Sequence, residues 1–284
     1  MWIKKSEIKK LSQNIREIID GKDIDLRVSN EGEWNILKND IHTLAKQKNE
    51  QVDVLQHDKK VLEDTLADIS HQLNTPLTSM LIMIDLLEDA PSDKQAEFIQ
   101  NIKTGLGRTE WLVSTLLKLA KLEAGAVKFS REIIHSSVLT EHATAPLQIQ
   151  LELKNQNLEV VGEAELHCDK RWTAEALTNI IKNASEHSPD GGTIRIESGK
   201  NPISTWINVT DSGQGLTTAQ IAKLFRRFEA SQDGKGYGIG LPLALAIMRG
   251  QDGDVEVTGG GGNNTGATFT IKLFHVQKDN SLSF

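Results

Sequence analysis

The sequence predicts a multidomain chain of α and α+β class, in which a helical hairpin forms a dimeric four-helix bundle and an α/β sandwich follows. Three observations carry that reading. Apolar residues recur at three- and four-residue steps from Ile69 to Leu87 and again from Phe98 to Ala120. Short alternating strands appear only beyond about residue 127, and 284 residues exceed what one core usually absorbs.

Residues 1–60 are polar and helical in propensity, with breaks at Gly21-Lys22-Asp23 and Ser29-Asn30-Glu31-Gly32. Ile36, Ile41, Leu44, Val52, Leu55 and Leu62 approximate a heptad seam, so this segment reads as a coiled coil leading into the next helix. Over residues 61–125, Ile69, Leu73, Leu77, Met80, Leu81, Ile84 and Leu87 form one stripe, and His71 lies off it, towards water. Pro76 cannot donate to the carbonyl of Gln72, which predicts a loosened helix beside His71. A second helix is expected from Asp93 to Leu122, with Ser92 as N-cap and Gly125 as C-cap. Two such helices cannot cover their own stripes, whereas two hairpins can, and a homodimer follows.

Residues 126–276 mix helix and strand. Strands are expected at 193–197, 205–210, 254–257 and 267–273, with Asp190-Gly191-Gly192 as a turn. This order predicts helices on one face of a mixed sheet. Residues 277–284 are a tail.

A net charge of -7 and a pI near 5.7 argue against nucleic acid as a partner, since phosphate contacts need a basic face. Cys168, the single cysteine, sits in an apolar-polar alternation and reads as a buried strand thiol. No run reaches the roughly 18 apolar residues of a membrane span. Trp2, Lys4 and Lys5 would suit the cytoplasmic edge of one, so the chain is expected to be the cytoplasmic portion of a membrane-anchored parent. His42, His57, His135, His142, His167 and His275 lack metal-ligand spacing.

The chemistry concentrates in a few places. Asp169 is placed to cap a helix on which Asn179, Lys182, Asn183 and His187 share one face, opposite Leu177, Ile180, Ile181 and Ala184. Carboxamide oxygens beside a lysine suit magnesium and phosphates. Asp211-Ser212-Gly213-Gln214-Gly215 ends a strand, where the carboxylate can accept the exocyclic amine proton of adenine. Lys235-Gly236-Tyr237-Gly238-Ile239-Gly240-Leu241 opens a helix whose N-H groups suit phosphate. One glycine run is weak evidence, but the order of these features, ending at Gly266-Ala267-Thr268-Phe269, is specific.

Over about residues 60–276 the chain resembles the sensor histidine kinases of bacterial two-component systems, and residues 1–60 loosely resemble their HAMP-type relay. The resemblance rests on His71 in the H box, Asn179 and Asn183 in the N box, Asp211, Gly213 and Gly215 in the first glycine box, Gly236, Gly238 and Gly240 in the second, and Gly266 to Phe269 in the last. It implies a histidine-phosphotransfer bundle and a Bergerat-type ATP-binding domain. The implied contacts to ATP also include Lys182, His187, Lys235, Leu241 and Thr268, with Asn183 on Mg2+. His71 then takes the γ-phosphoryl group and passes it to an aspartate in the receiver domain of a response regulator, and Thr75 holds water for the reverse phosphatase step.

The chain departs from the family at three points. Gln72 stands where an acidic residue usually follows the phosphoacceptor; it can orient the imidazole but cannot remove its proton, leaving that to solvent or Asp68. Glu186 stands at an often basic position, and Ala230 where many relatives carry arginine. A weakly catalytic ATP-binding scaffold therefore remains an alternative. Another ATPase on the same fold fits less well, having no use for His71.

Overall fold

A computed structural model describes residues 5–19, 33–88, 91–229, 237–260 and 266–275. The chain divides into two compact units, residues 1–70 and 71–284. In the first, helix α1 (Lys5–Ile19) buries Leu11 and Ile18 against Ile15, Trp34, Ile41 and Ala45, the last three from the start of α2 (Glu33–Glu88). Ile41 thus joins a local core, whereas Ile36, Leu44, Val52, Leu55 and Leu62 of the expected seam stay exposed. Ion pairs such as Lys46–Glu50 at 3.8 Å and Lys59–Glu63 at 3.6 Å decorate the helix at one-turn spacing.

The second unit begins with the hairpin formed by residues 71–88 of α2 and by α3 (Ser92–Glu123). Pro76 does not interrupt α2, which stays helical through it. Helix α3 starts differently from the sequence expectation: Pro91 is the N-cap, its carbonyl accepting from the amides of Lys94 (2.9 Å) and Gln95 (3.2 Å), and Ser92 is already helical. The far end closes one position earlier than expected. Ala124 is the C-cap, and Gly125 follows at φ +62, its amide donating to Leu122 O while Ala126 donates to Lys121 O. That paired return needs a left-handed residue, which glycine supplies without strain.

Next come β1 (Glu132–His135), α4 (Ser136–Thr144), a 3-10 turn (Ala145–Leu147), α5 (Gln148–Leu153), β2 (Asn157–Val161) and β3 (Glu165–Cys168). They are followed by α6 (Lys170–His187), β4 (Thr193–Lys200), β5 (Ser204–Thr210), α7 (Thr218–Ile221), α8 (Gly240–Arg249), β6 (Gly253–Gly259) and β7 (Ala267–Phe274). The five-stranded sheet runs β2-β4-β5-β7-β6; β2 and β4 are parallel and the other pairs antiparallel, while β1 and β3 form a separate antiparallel pair. Alternation decides which face is covered. Ile194, Ile196, Ile207, Val209, Phe269 and Ile271 point at the helices and are buried with Leu177, Ile180, Ile181 and Ala184 of α6 and Leu243, Ala244 and Ile247 of α8. Leu119 and Leu122 of α3 pack on the same core, so the hairpin's end and the sandwich share apolar surface. Cys168 is buried in β3 as expected, and burial pushes its thiol up to about 11, which leaves it inert.

Helix α6 carries the polar face of interest, and its start is fixed by buried bonds. Asp169 accepts from Trp172 N (3.1 Å) through one oxygen and from Ser130 N (2.9 Å) through the other. Its own amide donates to Gln251 Oε1 (2.6 Å), and Gln251 Nε2 donates to Thr173 Oγ1 (3.1 Å). One carboxylate therefore caps α6 and ties down the linker that leaves the hairpin. Asp169→Ala is expected to lower unfolding stability by about 1–2 kcal/mol, read as a reduced urea midpoint at unchanged slope.

Candidate functional site

The far end of α6 is clamped too. Gln156, which is buried, donates its side-chain amide to the carbonyls of Ser185 (3.0 Å), Ser188 (3.2 Å) and Pro189 (3.2 Å), and accepts from Ser185 Oγ (2.7 Å). Lys154 Nζ adds a bond to Ser185 O at 2.6 Å. Carbonyls at a helix C-terminus have no intrahelical partners, and these side chains supply them. Between its fixed ends α6 presents Asn179, Lys182, Asn183 and His187 on one face, as the 3.6-residue period requires.

Asp211 lies just beyond β5 and is buried. Its Oδ1 accepts from Gly213 N (2.8 Å) and Ala267 N (3.1 Å), which fixes the carboxylate and leaves the other oxygen outside those bonds. The main chain closes around it through Asp211 N to Ala267 O (3.0 Å) and Gly266 N to Gly213 O (3.2 Å). Gly266, at φ +60, lies so close that a Cβ there would collide with Asp211 O. Ser212 N donates to Ser188 Oγ (3.2 Å), which joins this loop to the clamped end of α6.

These groups line one cleft of about 1890 Å³. Its walls include Asn179, Lys182, Asn183, His187, Asp211, Gly213, Gly215, Gly238, Gly240 and Leu241. A single small-molecule site usually holds roughly 300–1,000 Å³. The excess arises because the hairpin forms a further wall, with Gln72 from α2 and Thr104, Arg108 and Trp111 from α3. Asn179 also joins two helices. Its Nδ2 donates to Glu175 O (2.9 Å), and its Oδ1 lies 2.9 Å from where a Cβ on Gly240 would sit, so α6 and the start of α8 approach closely.

His71 is exposed on α2. Thr75, one turn on, donates its hydroxyl proton to His71 O (3.0 Å) and lies 3.4 Å from His71 Nδ1. With that proton committed, the hydroxyl oxygen can face the ring only as an acceptor. The sequence assigns Gln72 to orienting the ring; in the structure Gln72 lines the cleft, and Thr75 also lies beside Nδ1. Asp68 is exposed.

Among the described residues, hairpin and sandwich also meet through the following side chains. Trp111 stacks on Tyr237 with ring centroids 6.0 Å apart and an interplanar angle of 28°. Lys182 Nζ lies 5.1 Å from the centroid of the Trp111 ring and 3.9 Å from Glu186 Oε1. Lys118 pairs with Glu175, and Arg227 with Glu123.

One expectation is corrected. Thr268 does not line the cleft: its hydroxyl pairs with that of Thr210 at 2.9 Å on the opposite face of the sheet, while Ala267 and Phe269 on either side reach the cleft. Strand parity forces that outcome. Lys235, Gly236 and Ala230 lie outside the described residues, as does the tail at 277–284. Sequence reasoning gives no role to Trp111, Arg108 or Gln156. Trp111 falls off the apolar stripe of α3, the one local sign that it faces something other than its own hairpin.

Comparison with known proteins bears on this geometry. Residues 61–125 match the His Kinase A (phospho-acceptor) domain family, and residues 168–277 match the histidine kinase-, DNA gyrase B- and HSP90-like ATPase family, which implies ATP binding. The chain is 27% identical to the sensor histidine kinase WalK of Bacillus subtilis, across 80% of this chain and 39% of that protein. It is 26% identical to the sensor-like histidine kinase SenX3 of Mycobacterium tuberculosis, across 74% of this chain and 53% of that one. The chain thus spans about half or less of these curated relatives. The solved Acinetobacter baumannii histidine kinase AdeS, 21% identical, superposes with a TM-score of 0.61 across 72% of this chain and 97% of its own. That likeness establishes the shared fold.

Gly266→Ala forces Asp211 off its two amides. It is expected to weaken ATP binding by about tenfold or more, measured by titration calorimetry, while far-ultraviolet circular dichroism stays close to that of the parent.

Proposed function

We propose, because this chain belongs to the two-component sensor histidine kinases, that it transfers the γ-phosphoryl group of ATP to His71 and from there to an aspartate in the receiver domain of a response regulator. The observation that carries the reading is that Gln72, next to the exposed His71, lines the same cleft as Asp211 and the glycine turns. In this reading residues 61–125 are the dimerisation and phosphotransfer domain, 126–276 the ATP-binding domain and 1–60 the signal relay.

The residues divide the work. Asp211, braced by the Gly213 amide and next to the Gly215 turn, accepts a hydrogen bond from the adenine amine, and amides of Gly238 and Gly240, with Lys182, receive the phosphates at the start of α8. Lys235, Gly236, Leu241, His187 and Asn179 complete the proposed lining. Asn183 offers the carboxamide oxygen suited to Mg2+, which when bound neutralises phosphate charge. Phosphoryl transfer needs positioning and charge neutralisation more than covalent help from the protein. At His71, Thr75 Oγ1 accepts a hydrogen bond from Nδ1–H, which favours the tautomer with the lone pair on Nε2 for attack. The same Thr75 hydroxyl is placed to hold water in the reverse, phosphatase, step.

The homodimer is supported by the surface of the hairpin. Leu77, Leu81, Ile84, Leu106, Val113 and Leu117 stay more than 40% exposed, too much contiguous apolar surface for a solitary hairpin. The parent is proposed to be membrane-anchored with this portion on the cytoplasmic side; among the described residues no helix is long and apolar enough to cross a membrane.

A second reading, an ATP-binding scaffold with little transfer, is favoured by the Glu186 carboxylate beside Lys182. Incubation with γ-labelled ATP and magnesium separates the two. The kinase takes up acid-labile, alkali-stable label that His71→Ala abolishes, whereas a scaffold binds ATP and stays unlabelled.

A further inference from the structure

We infer that Trp111 is a positioning residue of the nucleotide site, supplied by the phosphotransfer hairpin: its indole competes with Glu186 for the Lys182 ammonium and so keeps that charge available at the phosphate end of the cleft. The inference rests on the reading of the cleft as an ATP site. Lys182 lies between two attractions, the Trp111 ring face (5.1 Å to the centroid) and the Glu186 carboxylate (3.9 Å). A full pairing with Glu186 would neutralise the lysine that α6 contributes to the proposed phosphate groups. The ring quadrupole attracts the ammonium without cancelling its charge, so a lysine held on a tryptophan face stays available to an anion.

Trp111 has a second partner. It stacks on Tyr237, which precedes Gly238 and Gly240 in the turn that opens α8. One indole therefore touches both phosphate-side elements, α6 and the glycine turn, and it is itself a wall of the cleft. The cleft stays open with this contact in place, so the indole lines the nucleotide space and does not plug it. The hairpin that carries the acceptor histidine thereby helps to arrange the phosphates. Sequence alone could not show it, since Trp111, Lys182 and Tyr237 are far apart along the chain.

The test uses the whole chain. Affinities for magnesium-ATP and for adenosine are measured by calorimetry for the wild type, Trp111→Ala, Trp111→Phe and the double variant Trp111→Ala/Glu186→Gln, beside KM and kcat for labelling of His71. A cation-π contact of ordinary strength corresponds to about a two- to fivefold effect. Trp111→Ala is expected to weaken ATP by that factor and raise its KM, while adenosine, lacking phosphates, binds as before. Trp111→Phe keeps a ring face and stays close to wild type. Removing the Glu186 charge from the Trp111→Ala protein restores ATP affinity. Unchanged or tighter ATP binding in Trp111→Ala overturns the proposal, and so does an equal loss for adenosine or the absence of rescue by Glu186→Gln. If Trp111→Ala does not fold, Trp111→Leu, bulky but without a π face, is read by the same criteria. A wild type that binds ATP without labelling sinks the kinase reading while the binding data still decide the role of Trp111. A wild type that binds no ATP removes both.

Discussion

Everything in the cleft is referred to one helix whose two ends cannot move. Helix α6 leaves Asp169, where a single carboxylate binds two amides, and arrives at Gln156, where a single carboxamide binds three carbonyls. Leaving such buried groups unpaired costs about 1–3 kcal/mol each, so either end resists fraying. Between them the residues facing inward are fully buried, which fixes the rotation of the helix about its axis. With rotation and both termini set, the outward positions of Asn179, Lys182 and Asn183 follow from helical geometry alone. The opposite wall is tied to the end of α6 by the bond from Ser212 N to Ser188 Oγ, and is braced within itself where the Asp211 carboxylate accepts from the amides of Gly213 and Ala267.

Much of this is legible in the sequence because the signals are local. The stripe of α6, the strand that ends at Asp211 and the strands β4 to β7 all declare themselves by period within a few residues, and their observed spans extend the expected ones by a residue or more. Strands β1 and β2 give no such signal, and β3 gives only the short alternation around Cys168. Each has only four or five residues, and β2 is an edge strand whose side chains are mostly exposed, so it lacks the alternation that marks a half-buried strand. Thr268 follows a glycine turn in the sequence, which suggests the cleft, but the parity of β7, fixed by Phe269 and Ile271 in the core, turns it to the other face. Gln156 and Trp111 are illegible for a different reason. Their partners are brought near only by the fold, and the place of Trp111 off the α3 stripe signals a contact without saying with what.

The departures from the family can be weighed against this geometry. Gln72 in place of an acid matters less for orienting the ring than the sequence suggests, because Thr75 stands beside Nδ1 one turn away. Glu186 matters more. It lies within reach of the lysine proposed to meet phosphate, so in that reading the carboxylate competes with the nucleotide for one ammonium. The field at that end of the cleft depends on which partner holds Lys182. Burial also makes the charge on Arg227, paired with Glu123 of α3, harder to keep, so that contact sits in a partly desolvated seam and not in open water.

The seam has the strength that a transfer between two elements requires. Inside the sandwich the helices and the sheet meet through fully buried aliphatic side chains, and separating them would expose a core. The hairpin, by contrast, meets the sandwich through Leu119 and Leu122 at its base, two ion pairs, and Trp111 with its two partners. Exposed or half-exposed ion pairs contribute about 0–1 kcal/mol each. Position 71 lies about 100° around the helix from Gln72, so the residue that lines the cleft and the residue that must react point in different directions. For His71 to enter, α2 and the sandwich must shift against each other. A seam of a few weak contacts around a small apolar base permits that shift, whereas one built like the core would forbid it. In the proposed reaction the rigidity of α6 and the weakness of the seam are therefore two halves of one requirement: a nucleotide held still and an acceptor free to approach it.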